Sequence, residues 1–188
     1  LLPDASVMAV IGGAKEGDRV MLIGTPGTHL GRSSYMRTCL GREEGPPPPV
    51  DLLMEKTRGD YVRAAIRSSY VTACHDLSDG GLAVALAERA IASGKGMEIA
   101  LGDSAPHAAL FGEDQARYLC TVPADLAAMF IANAEGAGVT CHDIGTVGGD
   151  ALKIGSYIDV AVEELRNAHE SWFPAYMEGG ANPAIAAE

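Results

Sequence analysis

Aromatic residues are scarce in this 188-residue chain: one Trp, six Tyr and three Phe make up 5% of it. That shortage disfavours an aromatic-rich sandwich. With 23 glycines, it favours helices packed closely on a sheet through small side chains. Basic residues are also few: 14 Lys and Arg stand against 25 Asp and Glu, a net charge of −11. There is no basic surplus to displace counterions from phosphates, so no nucleic-acid partner is expected. A local electropositive pocket for a phosphorylated small molecule remains compatible with that charge. No apolar run approaches a membrane span and no signal peptide is visible, so no membrane partner is expected either. The four cysteines, Cys39, Cys74, Cys120 and Cys141, show no C-x-x-C spacing. Three of them (74, 120 and 141) sit in strand-like runs, where a reduced thiol packs as a small hydrophobe. A cytoplasmic location is the expectation.

Familiar catalytic templates are missing as well. There is no G-x-S-x-G elbow for a serine hydrolase. Cys74–His75 and Cys141–His142 are sequence neighbours, and neighbours on a strand point to opposite faces. Neither dipeptide therefore makes a thiol–imidazole pair or a zinc site.

What is present is 47% hydrophobic sequence, enough for one well-buried domain. "RVMLIG" (19–24) reads as a strand, a loop rich in Gly and hydroxyls follows, and a short helix is expected over Ser34–Leu40. Four prolines make "GREEGPPPP" (41–49) an extended connection. Asp51 is placed to cap a long helix reaching Ser69. "VTACHD" (71–76) reads as a buried strand and 81–92 as a helix stopping at Ser93-Gly94. A strand at 96–101, a short helix at 106–110, a strand at 116–122 and a helix from Asp125 to Glu135 follow. "VTCHDIGTV" and "ALKIG" predict a hairpin joined by Gly148-Gly149-Asp150. A last helix is expected near Val162–His169, before "SWFPAYM" (171–177), and the tail "EGGANPAIAAE" (178–188) lacks a pattern. Alternating strands and helices with a hairpin predict a mixed sheet covered by helices.

Two strand–loop–helix units have the makings of a ligand site. In "HDLSDGGLAVALAE" (75–88), glycines at a helix start, free amide donors and a positive dipole end suit an anion. Asp79 either caps the helix or holds Mg²⁺ beside a phosphate; a packed helix start with no ligand is the other reading. In "LIGTPGTHLGRSSY" (22–35), Gly31, Ser33 and Ser34 offer close approach and hydroxyls, but no Lys follows the final Gly, so it is not a Walker loop; an ordinary glycine-rich loop capped by Ser33 is the other reading. "FGEDQAR" (111–117) brings Glu113, Asp114 and Arg117 into a polar turn that is either part of a site or a solvated corner.

"HDLSDGGLAVALAE", "GTHLGRSSY", "LGREEGPPPPVDL", "FGEDQARYLCTV" and "AHESWFPAYM" together resemble the C-terminal subdomain of the phosphoribosylformylglycinamidine synthase (PurL, small type) family, over about residues 17–177. H-D-x-S-D-G-G alone points only to the wider superfamily of aminoimidazole ribonucleotide synthase and selenophosphate synthetase. The resemblance implies an α+β domain, a mixed β-sheet flanked by helices. It implies residues 1–16 as a connecting segment from an upstream domain and 178–188 as a flexible tail, the chain being part of a longer polypeptide. It also implies an ATP-dependent C–N ligase of purine biosynthesis, converting formylglycinamide ribonucleotide to the amidine. ATP and Mg²⁺ are the implied cofactors, with most of their ligands and the catalytic histidine in segments outside this sequence. The implied partners are the remainder of the polypeptide, a glutaminase and a small bridging subunit. No residue here is assigned a catalytic role, and the isolated chain is expected to be inactive. The ligand or phosphate candidates are His75, Asp76, Ser78, Asp79, Gly80, Gly81, Gly31, Ser33, Ser34 and Glu113, with Asp79 the metal candidate. The rival expectations are an assembly module with an inert pseudo-site and another ATP-using enzyme of the superfamily. Thr28 and His29 stand where Gly-His or Gly-Gly is commoner in that family loop.

Overall fold

The run Arg19–Ile23 forms a central strand, β1, whose alternation sets the layering. Val20 and Leu22 point to one face of the sheet, Met21 and Ile23 to the other, and all four are fully buried. Both faces of this part of the sheet must therefore be covered. The structure, a computed structural model, describes residues 8–102 and 106–179. The other strands are β2 (Ala73–Asp76), β3 (Met97–Ile99), β4 (Tyr118–Val122), β5 (Cys141–Val147), β6 (Ala151–Ile154) and β7 (Ile158–Ala161). They join in the order β2-β4-β1-β5-β3-β6-β7. All neighbours are antiparallel except β3 and β6. The helices are α1 (Ser34–Leu40), α2 (Leu52–Arg67), α3 (Gly81–Ser93), α4 (Pro106–Phe111), α5 (Ala127–Gly136) and α6 (Val162–Met177). The expected α+β mixed sheet flanked by helices is the one found.

One core lies under α3, α4 and the start of α6, built from Leu82, Leu86 and Ala90 against Val20, Leu22 and Leu119. The second lies under α2 and α5, where Val62, Ala65 and Phe130 meet Met21 and Ile23. The Tyr61 hydroxyl donates to the Phe130 carbonyl at 2.7 Å and so ties α2 to α5. Past Cys141 at the start of β5, which still packs against this second core, the face is left to water. There Arg19, Thr146, Glu98, Lys153 and Asp159 stand opposite one another in turn across five strands. Alternating charge suits such cross-strand neighbours, and Lys153 and Asp159 approach to 3.8 Å. No helix among the described residues is long and apolar enough to cross a membrane.

Helix limits follow local chemistry. The Ser33 hydroxyl accepts from Met36 N at 3.2 Å to start α1. Asp51 Oδ1 accepts from Leu53 N and Met54 N to start α2. Gly94, at φ 67°, ends α3. Residues 8–16, part of the expected connector, lie against the domain: Ala14 is 3% exposed within the α3-side core. Residues 1–7, and 180–188 of the expected tail, lie outside the described residues.

Three expectations are corrected. The strands β5 and β6 do not pair with each other, because β3 lies between them, antiparallel to β5 and parallel to β6. Gly96 N donates to Gly149 O at 2.8 Å and Gly148 N to Gly96 O at 2.9 Å, which seats β3 in the mouth of the would-be hairpin. The true hairpin is β6–β7, and β7 carries no strong strand pattern of its own. The strand β2 is an edge strand, with Asp76 exposed, and not a buried one. Helix α6 runs on through Pro174 to Met177. Proline removes one intrahelical donor, but residues 167–179 are all exposed, so water serves the freed carbonyl.

Inserting β3 depends on Gly145, where an added Cβ would collide with the Glu98 carbonyl and reach 2.9 Å from the Ile99 side chain. Gly145→Ala is expected to lower stability by about 2 kcal/mol through overpacking. Urea unfolding measures this, and an unchanged midpoint would show that β3 does not sit there.

Candidate functional site

The two helix-start loops meet at the corner that follows α4. One carboxylate oxygen of Glu113 accepts the amide of Ser34, at the start of α1, and the amide of Gly80, at the start of α3, each at 2.8 Å. Asp114 serves the preceding turn: its oxygens accept Thr28 N at 2.9 Å, the Thr28 hydroxyl at 2.9 Å and His29 N at 3.0 Å. Arg117 is 2% exposed. Its Nε donates to Asp114 O at 2.9 Å and its Nη2 donates to Gly112 O. Leu77 N then reaches Arg117 O at 3.0 Å. The 111–117 segment is thus a clamp and not a solvated corner. Tyr35 of α1 stacks on Phe111 at 4.8 Å between centroids, which closes the apolar side of the same junction.

Glycine at the loop tips is required by the fold itself. Gly80 and Gly81 have φ of +78° and +65°, conformations that strain any other residue. A Cβ on Gly81 would lie 2.5 Å from Gly112 O and 3.0 Å from Leu110 O. One on Gly31 would strike Pro46 O. At all three positions the space that sequence reasoning reserved for a ligand is occupied by the chain's own atoms; at Gly80 it holds the Val84 side chain. Asp79 does not cap α3. The cap position is Gly80, with no side-chain hydrogen bond, because its left-handed backbone turns the loop so that Glu113 supplies the acceptor instead.

The remaining candidates separate. His75 turns toward α3, its Nε2 2.7 Å from Glu88 Oε2. The next residue, Asp76, lines a recess of about 200 Å³ with Ser78, Glu55, Gln115 and Tyr118. Ligand pockets commonly measure roughly 300–1,000 Å³, so this recess alone cannot enclose a nucleotide. Ser78 and Asp79 are exposed, and among the described residues the Asp79 carboxylate makes no hydrogen bond or ion pair. Ser33 and Ser34 are occupied locally, the first as the α1 cap and the second through its amide on Glu113. Among the described residues no group of three or more His, Cys, Asp or Glu gathers to hold a metal. Sequence reasoning missed Glu55, Gln115 and Tyr118 as lining residues and Asp114 and Arg117 as holders of the loops. Only the "EDQAR" charge cluster hinted at the last two: the Asp114 partners, Thr28 and His29, lie more than eighty residues away, whereas Arg117 braces the corner through the nearby carbonyls of Gly112 and Asp114.

Electrostatics reinforce the clamp. Partial burial would raise the Asp114 carboxyl, but the hydrogen bonds from Thr28 and His29, beside the Arg117 charge, outweigh it and hold it below its ordinary value. Burial, then Glu55, pushes the Tyr118 hydroxyl up, which keeps it a neutral donor beside the recess.

Glu113→Ala is expected to destabilise the chain by about 2 kcal/mol, since it strips two amides of a charged acceptor. Glu113→Gln, which keeps an acceptor oxygen, is expected to lose less; equal stability of all three proteins in denaturant melts would contradict the clamp. Because the folded Asp114 carboxyl is depressed, its contribution is complete above the unfolded value of about 3.9 and lost as pH falls through the folded one. Acid titration of Asp114→Asn is therefore expected to show a shallower loss of stability below pH about 4 than the parent. Identical acid limbs would exclude this contribution.

Comparisons with known proteins agree with this architecture. The sequence model of the family "AIR synthase related protein, C-terminal domain" matches residues 15–158. The chain is 61% identical, over 190 aligned positions and all of its length, to the phosphoribosylformylglycinamidine synthase subunit PurL of Allorhizobium ampelinum, of which it covers 26%. It is 56% identical over 95% of its length to the same subunit of Brucella ovis, of which it covers 24%. The chain thus spans about a quarter of the length of these curated relatives. Among solved structures, T. maritima PurL complexed with FGAR superposes with a TM-score of 0.70 at 16% identity, covering 86% of this chain and 30% of that one. A chain of the HypE–HypF complex superposes with a TM-score of 0.54 at 20% identity, covering 80% of this chain and 54% of that one. These likenesses show a shared fold. With the family match covering most of its length, the chain belongs to the AIR synthase related protein, C-terminal domain family.

Proposed function

We propose that this chain is the C-terminal portion of a PurL-type ATP-dependent C–N ligase and forms one wall of a ligand cleft. The observation that carries this reading is the 61% identity across the whole chain to a PurL subunit. In the proposed reaction the amide oxygen of formylglycinamide ribonucleotide is activated with ATP and replaced by ammonia, giving the amidine. The work left to this chain is positioning. The Glu113 clamp fixes the loop 75–81 so that Asp76, Ser78 and Asp79 face outward together, next to a recess too small to act alone. The opposite wall then comes from the rest of a longer polypeptide. Exposed apolar side chains, Leu52 and Leu53 at 77% and 72% and Phe173 and Met177 at 60% and 67%, supply surface for that packing. A glutaminase, a bridging subunit and a cytoplasmic location belong to the same reading, and a likeness in fold to a chain of PurLQS from Thermotoga maritima supports a multi-subunit setting.

Asp79, exposed and without a partner among the described residues, suits one carboxylate ligand of Mg²⁺, whose other positions go to water and phosphate oxygens. A second reading, an assembly module with an inert pseudo-site, is favoured by the protein atoms that fill the space beside Gly31, Gly80 and Gly81. The two differ at Asp79. In the full-length enzyme Asp79→Asn is expected to leave the melting temperature unchanged, since no hydrogen bond is lost. Nucleotide or ribonucleotide affinity is expected to fall about tenfold, equivalent to about 1.4 kcal/mol. Unchanged affinity and turnover would reject the ligand role and leave the assembly reading. The isolated chain is expected to release no phosphate from ATP above background, and release abolished by a substitution within 75–81 would overturn the one-wall proposal.

A further inference from the structure

We propose that Cys74 and Cys120 form a dithiol that a peroxide oxidises to a cross-strand disulfide, fastening the edge strand β2 to β4. The two residues are direct partners in the antiparallel pair, and their sulfurs lie 3.8 Å apart, both free. The phase of the ladder is favourable. Leu77 N donates to Arg117 O, so the alternation makes Cys74–Cys120 a pair without mutual backbone hydrogen bonds, the closer of the two kinds. Cα atoms in such pairs stand roughly 4.5 Å apart, inside the roughly 4.4–6.8 Å that a disulfide spans. The sulfurs must close to about 2 Å, which side-chain rotation at the edge strand can supply.

The two thiols are unequal in the way a peroxide reaction needs. Cys74, half-buried on the sheet edge, is reachable by a small oxidant, whereas Cys120 is fully buried. The Cys120 S–H donates to the Cys74 sulfur, which lowers the Cys74 thiol despite its burial, and the Arg89 guanidinium also favours the thiolate. The same hydrogen bond, then burial, raises Cys120 and keeps its proton in place. The Cys74 thiolate attacks one peroxide oxygen: an S–O bond forms, the O–O bond breaks, and hydroxide leaves to become water. Cys120 then attacks the sulfenic sulfur. The S–S bond forms, the S–O bond breaks, and hydroxide departs with the Cys120 proton as a second water. Two electrons pass from the thiols to the peroxide. The cross-link would hold the strand that delivers His75 and Asp76 to the loop.

Hydrogen peroxide treatment of the folded chain carrying Cys39→Ser tests this. That change removes the exposed thiol and leaves three. Two of those three thiols are expected to disappear. Peptide mapping should join residues 74 and 120, and the melting temperature should rise, reversibly with dithiothreitol. Cys141, pushed up to about 12 by burial, should stay free. In a chain carrying both Cys39→Ser and Cys120→Ser, the same treatment should leave oxygen adducts on Cys74 in place of the cross-link. Oxygen adducts on Cys74 with Cys120 intact, or a cross-link that forms only in urea, would overturn the proposal.

Discussion

The positions of both helix-start loops depend on one carboxylate. Glu113 takes the amides of Ser34 and Gly80 on a single oxygen, so two loops separated by dozens of residues in sequence are fastened to one point. The amides at a helix start have no partner inside the helix, and a charged acceptor is the strongest one the chain can offer. Asp114 does the same for Thr28 and His29, and the buried guanidinium of Arg117 holds the corner that carries both acids. Remove the corner and the loops lose the acceptors that set their positions, while the sheet beneath them keeps its register.

This arrangement divides the work between fold and function. The glycines of 75–81 and of 24–31 are consumed by close approaches within the chain, so they shape the loops, and in the proposed site it is the exposed side chains that would meet a ligand. Asp76, Ser78 and Asp79 stand on that outer surface, whereas His75 turns back to Glu88. A recess of about 200 Å³ with two carboxylates, Glu55 and Asp76, is too small to enclose a nucleotide alone. In the function proposed above, a second wall from the rest of a longer polypeptide would complete it.

The parts of this structure written in local chemistry were legible in the sequence. Ser33, Asp51 and Gly94 marked helix limits because caps and left-handed stops act over three or four residues. The family resemblance likewise anticipated the mixed sheet with its flanking helices. Long-range choices were not legible. Nothing in "GMEIAL" says that it will part β5 from β6, since that depends on Gly145 and Gly96 meeting distant backbone. Asp79 has the composition of a cap, yet the left-handed backbone of Gly80 hands the role to Glu113, 33 residues on. The helix expected to end near His169 runs on through Pro174 to Met177, because an exposed helix can surrender one hydrogen bond to water.

Amide hydrogen exchange read by NMR tests the carboxylate clamp most directly. The account predicts that the Ser34 and Gly80 amides, although at helix starts without intrahelical acceptors, are strongly protected and open together, and that Glu113→Ala exposes both while the amides of β1 stay protected. Exchange of either amide at the rate of an open loop in the parent protein, or protection of both in Glu113→Ala, would contradict it.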